Sequence, residues 1–130
     1  MELCIAVNSA GTTSFLDKVG FVTALTSVTT DSLGTTDING GSVRTTGAQT
    51  YNDTVVLSAS ATLTITGVGN LYFGKTLDST TASPVVPYGL NVDVGSGNDT
   101  TFNQSIGATN PLNALSITTG TLTGHGITLA

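Results

Sequence analysis

The sequence predicts an all-β protein, and the prediction rests on its composition, the period of its apolar residues and its turn signals. The commonest polar residues are threonine (26), serine (12) and asparagine (nine), together with 16 glycines, while 8% of residues are charged. Threonine is β-branched and favours strands, whereas glycine and asparagine favour turns. The 38% hydrophobic content argues against disorder. We therefore expect one domain, residues 1–130, without helices.

Apolar and polar residues alternate most regularly in TVVLSASATLTIT, residues 54–66. One face of this stretch is apolar and the other carries hydroxyl groups, with Val56 as the exception. The pattern predicts a strand with one face in the core. The apolar face consists of Val55, Leu57, Ala59, Ala61, Leu63 and Ile65. Shorter stretches with the same alternation are LYFGKTL (71–77), LNVDV (90–94) and LSIT (115–118).

Turn signals separate these strands. They are DINGG (37–41), TGVGN (66–70) and GSGND (95–99). The longest irregular piece is DSTTASPVVPYG, residues 78–89, in which Pro84 and Pro87 are incompatible with a central strand. We expect residues 78–89 to form a loop that projects from the scaffold.

The chain also repeats itself. IAVNSAGTTSF (5–15) is similar to VDVGSGNDTTF (92–102), and GAQTYNDTVVLSASATLTIT (47–66) is a third variant. This similarity predicts three units, approximately residues 5–38, 39–77 and 90–130. Phe15, Tyr51 and Phe102 recur at one place in the repeat, so we expect them to stack in the core or on one face.

Residues 25–66, LTSVTTDSLGTTDINGGSVRTTGAQTYNDTVVLSASATLTIT, resemble the long β-strand repeats of filamentous-haemagglutinin-like adhesins. These are giant bacterial surface or secreted proteins. The resemblance implies a β-solenoid (parallel β-helix) that stacks parallel strands at ~4.8 Å, with about six coils of roughly twenty residues. It also implies a structural and adhesive role and no catalytic residues. A β-sandwich stalk domain is the alternative fold.

Charge excludes several partners. The net charge is −5, and the only cations are Lys18, Arg44 and Lys75, which cannot form a basic patch for nucleic acid or an anionic membrane. No stretch approaches the ~18 apolar residues of a membrane span, and none has the pattern of a signal peptide. We therefore expect the chain to be either cytoplasmic or a piece of a larger exported protein, and the resemblance to adhesins implies the second, with an extracellular or cell-surface location.

Catalytic chemistry has few candidates. Cys4 and His125 are the only cysteine and the only histidine, and they lie at opposite ends of the sequence. A nucleophile needs a base within reach, and one cysteine with one histidine cannot fill a zinc site. We expect no enzyme, no cofactor, a buried Cys4 in the apolar LCIAV stretch, and His125 in a turn.

One turn has a second interpretation. GSGND (95–99) resembles half of the calcium nonapeptide of RTX proteins, and Asp99 and Asp93 would be the ligands of such a calcium site. The nonapeptide functions in tandem copies, and only one copy is present. We therefore favour an ordinary turn whose asparagine and aspartate bond to nearby backbone.

Two tyrosines offer a binding function. Tyr72 and Tyr88 do not fit the repeat of aromatic residues, and Tyr88 lies in the proline-containing loop. Aromatic rings on rigid scaffolds stack against sugars, so a glycan-binding module that recognises a glycan or a host surface is the alternative function. Regular threonine rows are also typical of ice-binding β-helices, but the threonine spacing here is irregular.

Both ends of a solenoid expose unpaired strand edges. The terminal stretches LCIAV and HGITLA are apolar and nearly uncharged. We therefore expect homo-oligomers that join head to tail into filaments, since a heterologous contact does not close. The predicted edge residues are Leu3, Cys4, Ile5, Val7, Ile127 and Leu129.

Overall fold

A computed structural model describes residues 2–80 and 86–130. This part of the chain contains no helix and folds as a parallel β-solenoid of about five turns. The strands are β1 (Cys4–Val7), β2 (Thr12–Phe15), β3 (Ser27–Thr30), β4 (Thr35–Ile38), β5 (Ser42–Thr45), β6 (Gln49–Tyr51), β7 (Thr54–Leu57), β8 (Ala61–Ile65), β9 (Leu71–Phe73), β10 (Leu77–Ser79), β11 (Leu90–Gly95), β12 (Thr100–Phe102), β13 (Leu115–Thr119) and β14 (Leu122–Thr123).

The strands form three parallel sheets, and the chain visits them in turn. Sheet A has the order β1-β3-β6-β9-β12-β14, sheet B the order β2-β4-β7-β10, and sheet C the order β5-β8-β11-β13. Every strand pair of the described residues is parallel, so successive coils stack in the same direction. The all-β solenoid prediction is confirmed, with about five turns where about six were expected.

Residues that face the interior form straight rows along the axis, because each strand pairs in register with the strand one coil away. Two rows of sheet A are used below: row 1 is Ile5, Val28, Gln49, Leu71, Thr100 and Leu122, and row 2 is Val7, Thr30, Tyr51, Phe73 and Phe102. The corresponding row of sheet B is Thr13, Thr36, Val55, Leu77, Ile106 and Ile127. These rows and those of sheet C fill one continuous core.

Aromatic rings stack along row 2. The centroids of Tyr51 and Phe73 lie 5.1 Å apart, and those of Phe73 and Phe102 lie 4.9 Å apart, with nearly parallel planes. The predicted stacking of Tyr51 and Phe102 is confirmed, and Phe73 completes the stack. Phe15 is buried in the same core, as predicted, but it does not join this stack, because it lies on β2 of sheet B, where its register partner is Ile38.

The regular stretch 54–66 bends into two strands. Its predicted apolar residues Val55, Leu57, Leu63 and Ile65 are buried, as is Ala61. The prediction of one continuous strand is wrong, because the chain turns at residues 58–60 and passes from sheet B to sheet C. The alternation of apolar and polar residues continues through this turn, because the next apolar residue after the corner again faces the interior.

The predicted loop 78–89 begins later than expected. Asp78 and Ser79 belong to β10 and are buried, and Pro87 is buried as well. Residues 81–85, including Pro84, lie outside the described part of the chain. The division into units 5–38, 39–77 and 90–130 stays a prediction. No helix of the described residues is long and apolar enough to cross a membrane.

Candidate association surfaces at the ends of the solenoid

The C-terminal end of the solenoid leaves its interior rows uncovered. Row 1 ends at Leu122, and the sheet B row ends at Ile127, which bridges only back to Ile106. Leu122, Ile127 and Leu129 are 46, 47 and 48% exposed. Leu71, two coils earlier in row 1, is 1% exposed. The three apolar side chains therefore form the floor of an uncovered core, here called the tail surface.

The last coil is incomplete within residues 2–80 and 86–130. It contributes β14 to sheet A and the bridge of Ile127 to sheet B. Leu129 bridges Leu112, and sheet C ends with β13 of the preceding coil. No strand of the described residues lies above β13 in sheet C, and this position is here called the notch.

The N-terminal end exposes the free edges of β1 and β2. Ile5 and Val7, the first members of rows 1 and 2, are half-buried, as is Leu3. Cys4 is exposed, so its predicted burial is wrong. The reason is the alternation of side chains along β1: the odd-numbered residues face inward, so Cys4 faces outward. We call this end the head surface.

An apolar bulge interrupts the head surface at sheet C. Val19 bridges Val43 and Leu25 bridges Thr45, so residues 20–24 leave the strand line opposite Arg44. Gly20 starts this bulge with φ of 71°, and a Cβ there would overlap the carbonyl oxygen of Arg44. Phe21 and Val22 are 61 and 93% exposed. The Nζ of Lys18 lies 4.4 Å from the centroid of the Phe21 ring.

The bulge was missed from the sequence. Its signal is the apolar run FVTAL (21–25), which follows a glycine and contains neither alternation nor charge. Such a run is compatible with a buried strand as well as with a bulge. Only the register of both flanking bridges to β5 shows that residues 20–24 are extra.

The charges of the chain lie mainly between the two ends. The first turn carries Glu2, Asp17 and Lys18, and residues 112–130 contain no Asp, Glu, Lys or Arg. Six aspartates and two cations lie between residues 26 and 111. The tail surface is therefore apolar and nearly uncharged.

The middle coils contain buried polar side chains that are joined by hydrogen bonds. Asp53 accepts hydrogen bonds from the hydroxyls of Thr30 (2.6 Å) and Thr36 (2.8 Å). The Tyr51 hydroxyl donates to Oε1 of Gln49 at 3.0 Å. Burial, and secondarily the charge of Asp53, raises the pKa of the Tyr51 phenol far above its usual value near 10.0. This cluster connects neighbouring coils and lies inside the core, away from any surface that a ligand could reach.

The predicted turn at 95–99 is held by Asn98, which is buried. Its Nδ2 donates to the carbonyl of Val94 (2.7 Å) and to that of Gly67 in the preceding coil (2.8 Å). Its Oδ1 accepts from the Gly69 amide at 3.0 Å. Asparagine therefore bonds to nearby backbone, as expected, and also connects two coils.

The calcium candidates Asp93 and Asp99 are both exposed. Oδ1 of Asp99 accepts a hydrogen bond from the Thr121 amide at 3.1 Å. No group of three or more histidine, cysteine, aspartate or glutamate side chains that could hold a metal occurs among the residues that the structure describes. A calcium site at Asp93 and Asp99 stays a prediction without further support.

The two candidate ligand-binding tyrosines lie in different parts of the fold, one on sheet A and the other just before a strand of sheet C. Tyr72 is half-buried on the outer face of sheet A, between Thr50 and Thr101. Tyr88 precedes β11 of sheet C and packs partly against the core. His125 is exposed in the last coil, and its Nδ1 lies 3.2 Å from the carbonyl oxygen of Phe102. The structure does not bring these three side chains into one site.

A shallow groove follows the start of the sheet C strands. Its volume is about 260 Å³, and Ala61, Leu90 and Ala114 are among the residues that line it. Thr62, Asn91 and Ser116 supply hydroxyl and amide groups to it. The groove begins next to Tyr88, because Gly89 also lines it.

Comparisons with family models, with curated proteins and with solved structures found no match. The solenoid fold therefore rests on the register of the strands themselves. Similarity to filamentous-haemagglutinin-like adhesins stays an inference from the residues of 25–66.

Proposed function

We propose that this chain is a structural segment of a bacterial surface or exported adhesin-like protein, and that it associates end to end with copies of itself. One observation carries the proposal: the interior rows are fully buried in the middle coils and about half exposed at the tail, where Leu122 and Ile127 are 46 and 47% exposed. The adhesin-like role and the surface location rest on the resemblance of residues 25–66.

The uncovered rows provide the driving force for association. Full burial of a leucine or isoleucine side chain is worth roughly 1.5–3 kcal/mol, and the tail surface leaves three such side chains half exposed. The edge strands β1 and β14 also present backbone N–H and C=O groups that a parallel strand can pair. Because the head and tail surfaces differ, their contact is heterologous and extends into a filament.

Electrostatics favour this direction of assembly over lateral association. The excess of aspartates over cations lies between residues 26 and 111, so copies placed side by side repel each other. The tail surface contains no Asp, Glu, Lys or Arg side chain. Raising the salt concentration screens the lateral repulsion, and we expect it to promote bundling of filaments.

The test is sedimentation velocity and negative-stain electron microscopy over a concentration series. We expect thin, unbranched filaments above a threshold concentration. The double variant Leu122→Lys/Ile127→Lys places two charges on the tail surface and should remain monomeric. Val68→Lys is the matched control, because Val68 is 92% exposed in a lateral corner. The proposal is overturned if the unmodified chain stays compact and monodisperse at all concentrations, or if the double variant assembles as well as the control.

Glycan binding is a second candidate, favoured by the groove along sheet C. Sugar rings bind in shallow sites that combine apolar contact with hydroxyl and amide groups, as Ala114, Asn91 and Ser116 offer here. A glycan array followed by calorimetry would test it. We expect Asn91→Ala to lose at least 10-fold in affinity while Tyr72→Ala, on sheet A, leaves affinity unchanged. Absence of binding across the array would remove this candidate.

A further inference from the structure

We propose a specific register for the head-to-tail contact, an inference that rests on the proposed self-association. In this register β1 of one copy pairs in parallel with β14 of the preceding copy, so that Cys4 lies beside Thr121 and Ile5 extends row 1 beyond Leu122. In sheet B, Thr13 extends the row beyond Ile127. The apolar bulge at residues 20–24 fills the notch above β13.

The hydrogen bonds of sheet A define this register. Each amide of row 1 donates to the carbonyl one position before the next row member. The observed bonds are Val28 to Ala48 (3.1 Å), Gln49 to Asn70 (3.2 Å), Leu71 to Asp99 (2.9 Å) and Thr100 to Thr121 (2.9 Å). The same pattern directs the Leu122 amide toward the uncovered side. Its acceptor would be the carbonyl of Cys4 in the next copy.

Sheet B gives the same answer independently. Its row donates from Val55 to Thr76 (2.9 Å), from Leu77 to Ser105 (3.3 Å) and from Ile106 to Gly126 (2.9 Å). The next donor is the Ile127 amide, and the next acceptor is the carbonyl of Thr12 in the following copy. Both sheets therefore place the head surface one strand spacing, ~4.8 Å, above the tail surface.

Sheet C would contain a gap in this register, since the last coil supplies no strand above β13 among the described residues. The head surface carries extra residues at the same sheet, because residues 20–24 bulge from the line of Val19 and Leu25. A bulge at a free edge normally prevents strand pairing. Phe21 and Val22 of the bulge are exposed, and Leu115 and Ile117 of β13 are half-buried, so apolar side chains lie on both sides of the gap in this register. If the last coil contained a strand in sheet C, the gap would be absent and the bulge would have no space to fill.

Disulfide trapping tests the register in assembled protein. Thr121→Cys places a thiol beside Cys4 of the next copy, at a Cα separation of ~4.8 Å, within the range that a disulfide spans. Oxidation should then give a ladder of covalent trimers and longer oligomers on a non-reducing gel. Thr123→Cys is the matched control, because its register partner is Ala6 and Cys4 lies two residues away along the strand.

The outcomes separate the register from the association itself. Ladders from Thr121→Cys and not from Thr123→Cys support the proposal. Ladders from Thr123→Cys alone, or filaments that give no ladder with either variant, overturn the register and leave the association intact. Absence of filaments overturns both. The Cys4→Ser/Thr121→Cys double variant should run as a monomer on the non-reducing gel, because its single thiol then has no thiol beside it in the next copy, and this verifies that Cys4 takes part.

The bulge is tested by a matched pair of exposed valines. Val22 and Val68 are 93 and 92% exposed, but only Val22 lies on the head surface. Val22→Asp should raise the threshold concentration for filaments at least 10-fold, and Val68→Asp by less than 2-fold. Equal thresholds for the two variants would show that the bulge does not fill the notch.

Discussion

Leu71 and Leu122 occupy the same interior row of sheet A, yet one is 1% and the other 46% exposed. Both follow a residue that faces outward, and both pack on Thr100 from opposite sides of the coil. The difference is the neighbour beyond them: Leu71 has Gln49 on its other side, and Leu122 has no such neighbour among the residues that the structure describes.

The comparison separates two properties that coincide in most globular folds. The strand register determines which side chains point inward, whereas the presence of the next coil determines whether they are buried. In a solenoid each coil contacts only its neighbours, so stability accumulates coil by coil and is lowest at the ends. The following substitutions test this difference, starting with the largest expected effect.

Leu71→Ala should destabilise the monomer by about 2–5 kcal/mol, because it leaves a cavity in a closed core. Leu122→Ala should cost less than about 1 kcal/mol in the monomer, since half of its side chain is already in water. Urea unfolding below the assembly threshold measures both. Equal costs would mean that the tail surface is covered in the monomer.

Asp53→Ala should destabilise by about 1–3 kcal/mol, because the buried hydroxyls of Thr30 and Thr36 lose their acceptor. Asp99→Ala removes one exposed hydrogen bond to the Thr121 amide and should cost below about 1 kcal/mol. Thermal unfolding of the two variants compares an interior with an exterior aspartate. A neutral Asp53→Ala would show that the buried cluster adjusts without this carboxylate.

Tyr51→Phe should change the response to alkaline pH. The pKa of the Tyr51 phenol is raised in the folded state, so above the ordinary value near 10.0 the unfolded chain releases a proton that the folded chain keeps. Stability is therefore unaffected by this group below pH 10 and falls above it by roughly 1.4 kcal/mol per pH unit. Unfolding measured from pH 8 to 11 should show a shallower decline for Tyr51→Phe. Identical slopes would contradict burial of the phenol.

Val22→Asp should have the smallest effect on the monomer, within about 0.5 kcal/mol, because the valine is almost fully exposed. Its effect on assembly is the large one proposed above. A strongly destabilised monomer would instead mean that the bulge packs within its own chain.

Local pattern predicted much of this fold. Alternation placed Val55, Leu57, Leu63 and Ile65 in the core, and the turn signal at 66–70 marks a real corner. The corner at 58–60 escaped prediction because a solenoid corner preserves period two while redirecting the chain to another sheet. Alternation alone therefore cannot distinguish one long strand from two short ones.

The burial of the polar residues in the interior could not be predicted from the sequence, for a different reason. Gln49 and Asp53 are 0 and 3% exposed, and a polar residue in a strand ordinarily predicts an outward position. Their burial depends on partners distant in sequence, such as Thr30 and Thr64, whose proximity only the three-dimensional arrangement of the strands supplies. The edge residues predicted at the two termini lie at the ends of the solenoid. The bulge and the notch could not be predicted from the sequence, because only the strand pairing of β5 and β13 reveals them.

The register step between coils has a further consequence for how such a rod is built. Along sheet A the step is 22 residues from Gln49 to Leu71 and 29 residues from Leu71 to Thr100, yet both pairs are adjacent strands in perfect alignment. The additional residues are accommodated between Ser79 and Leu90. Length along the axis is therefore set by the number of coils and not by the number of amino acids. Residues can be added or removed at this corner while the length of the solenoid stays the same.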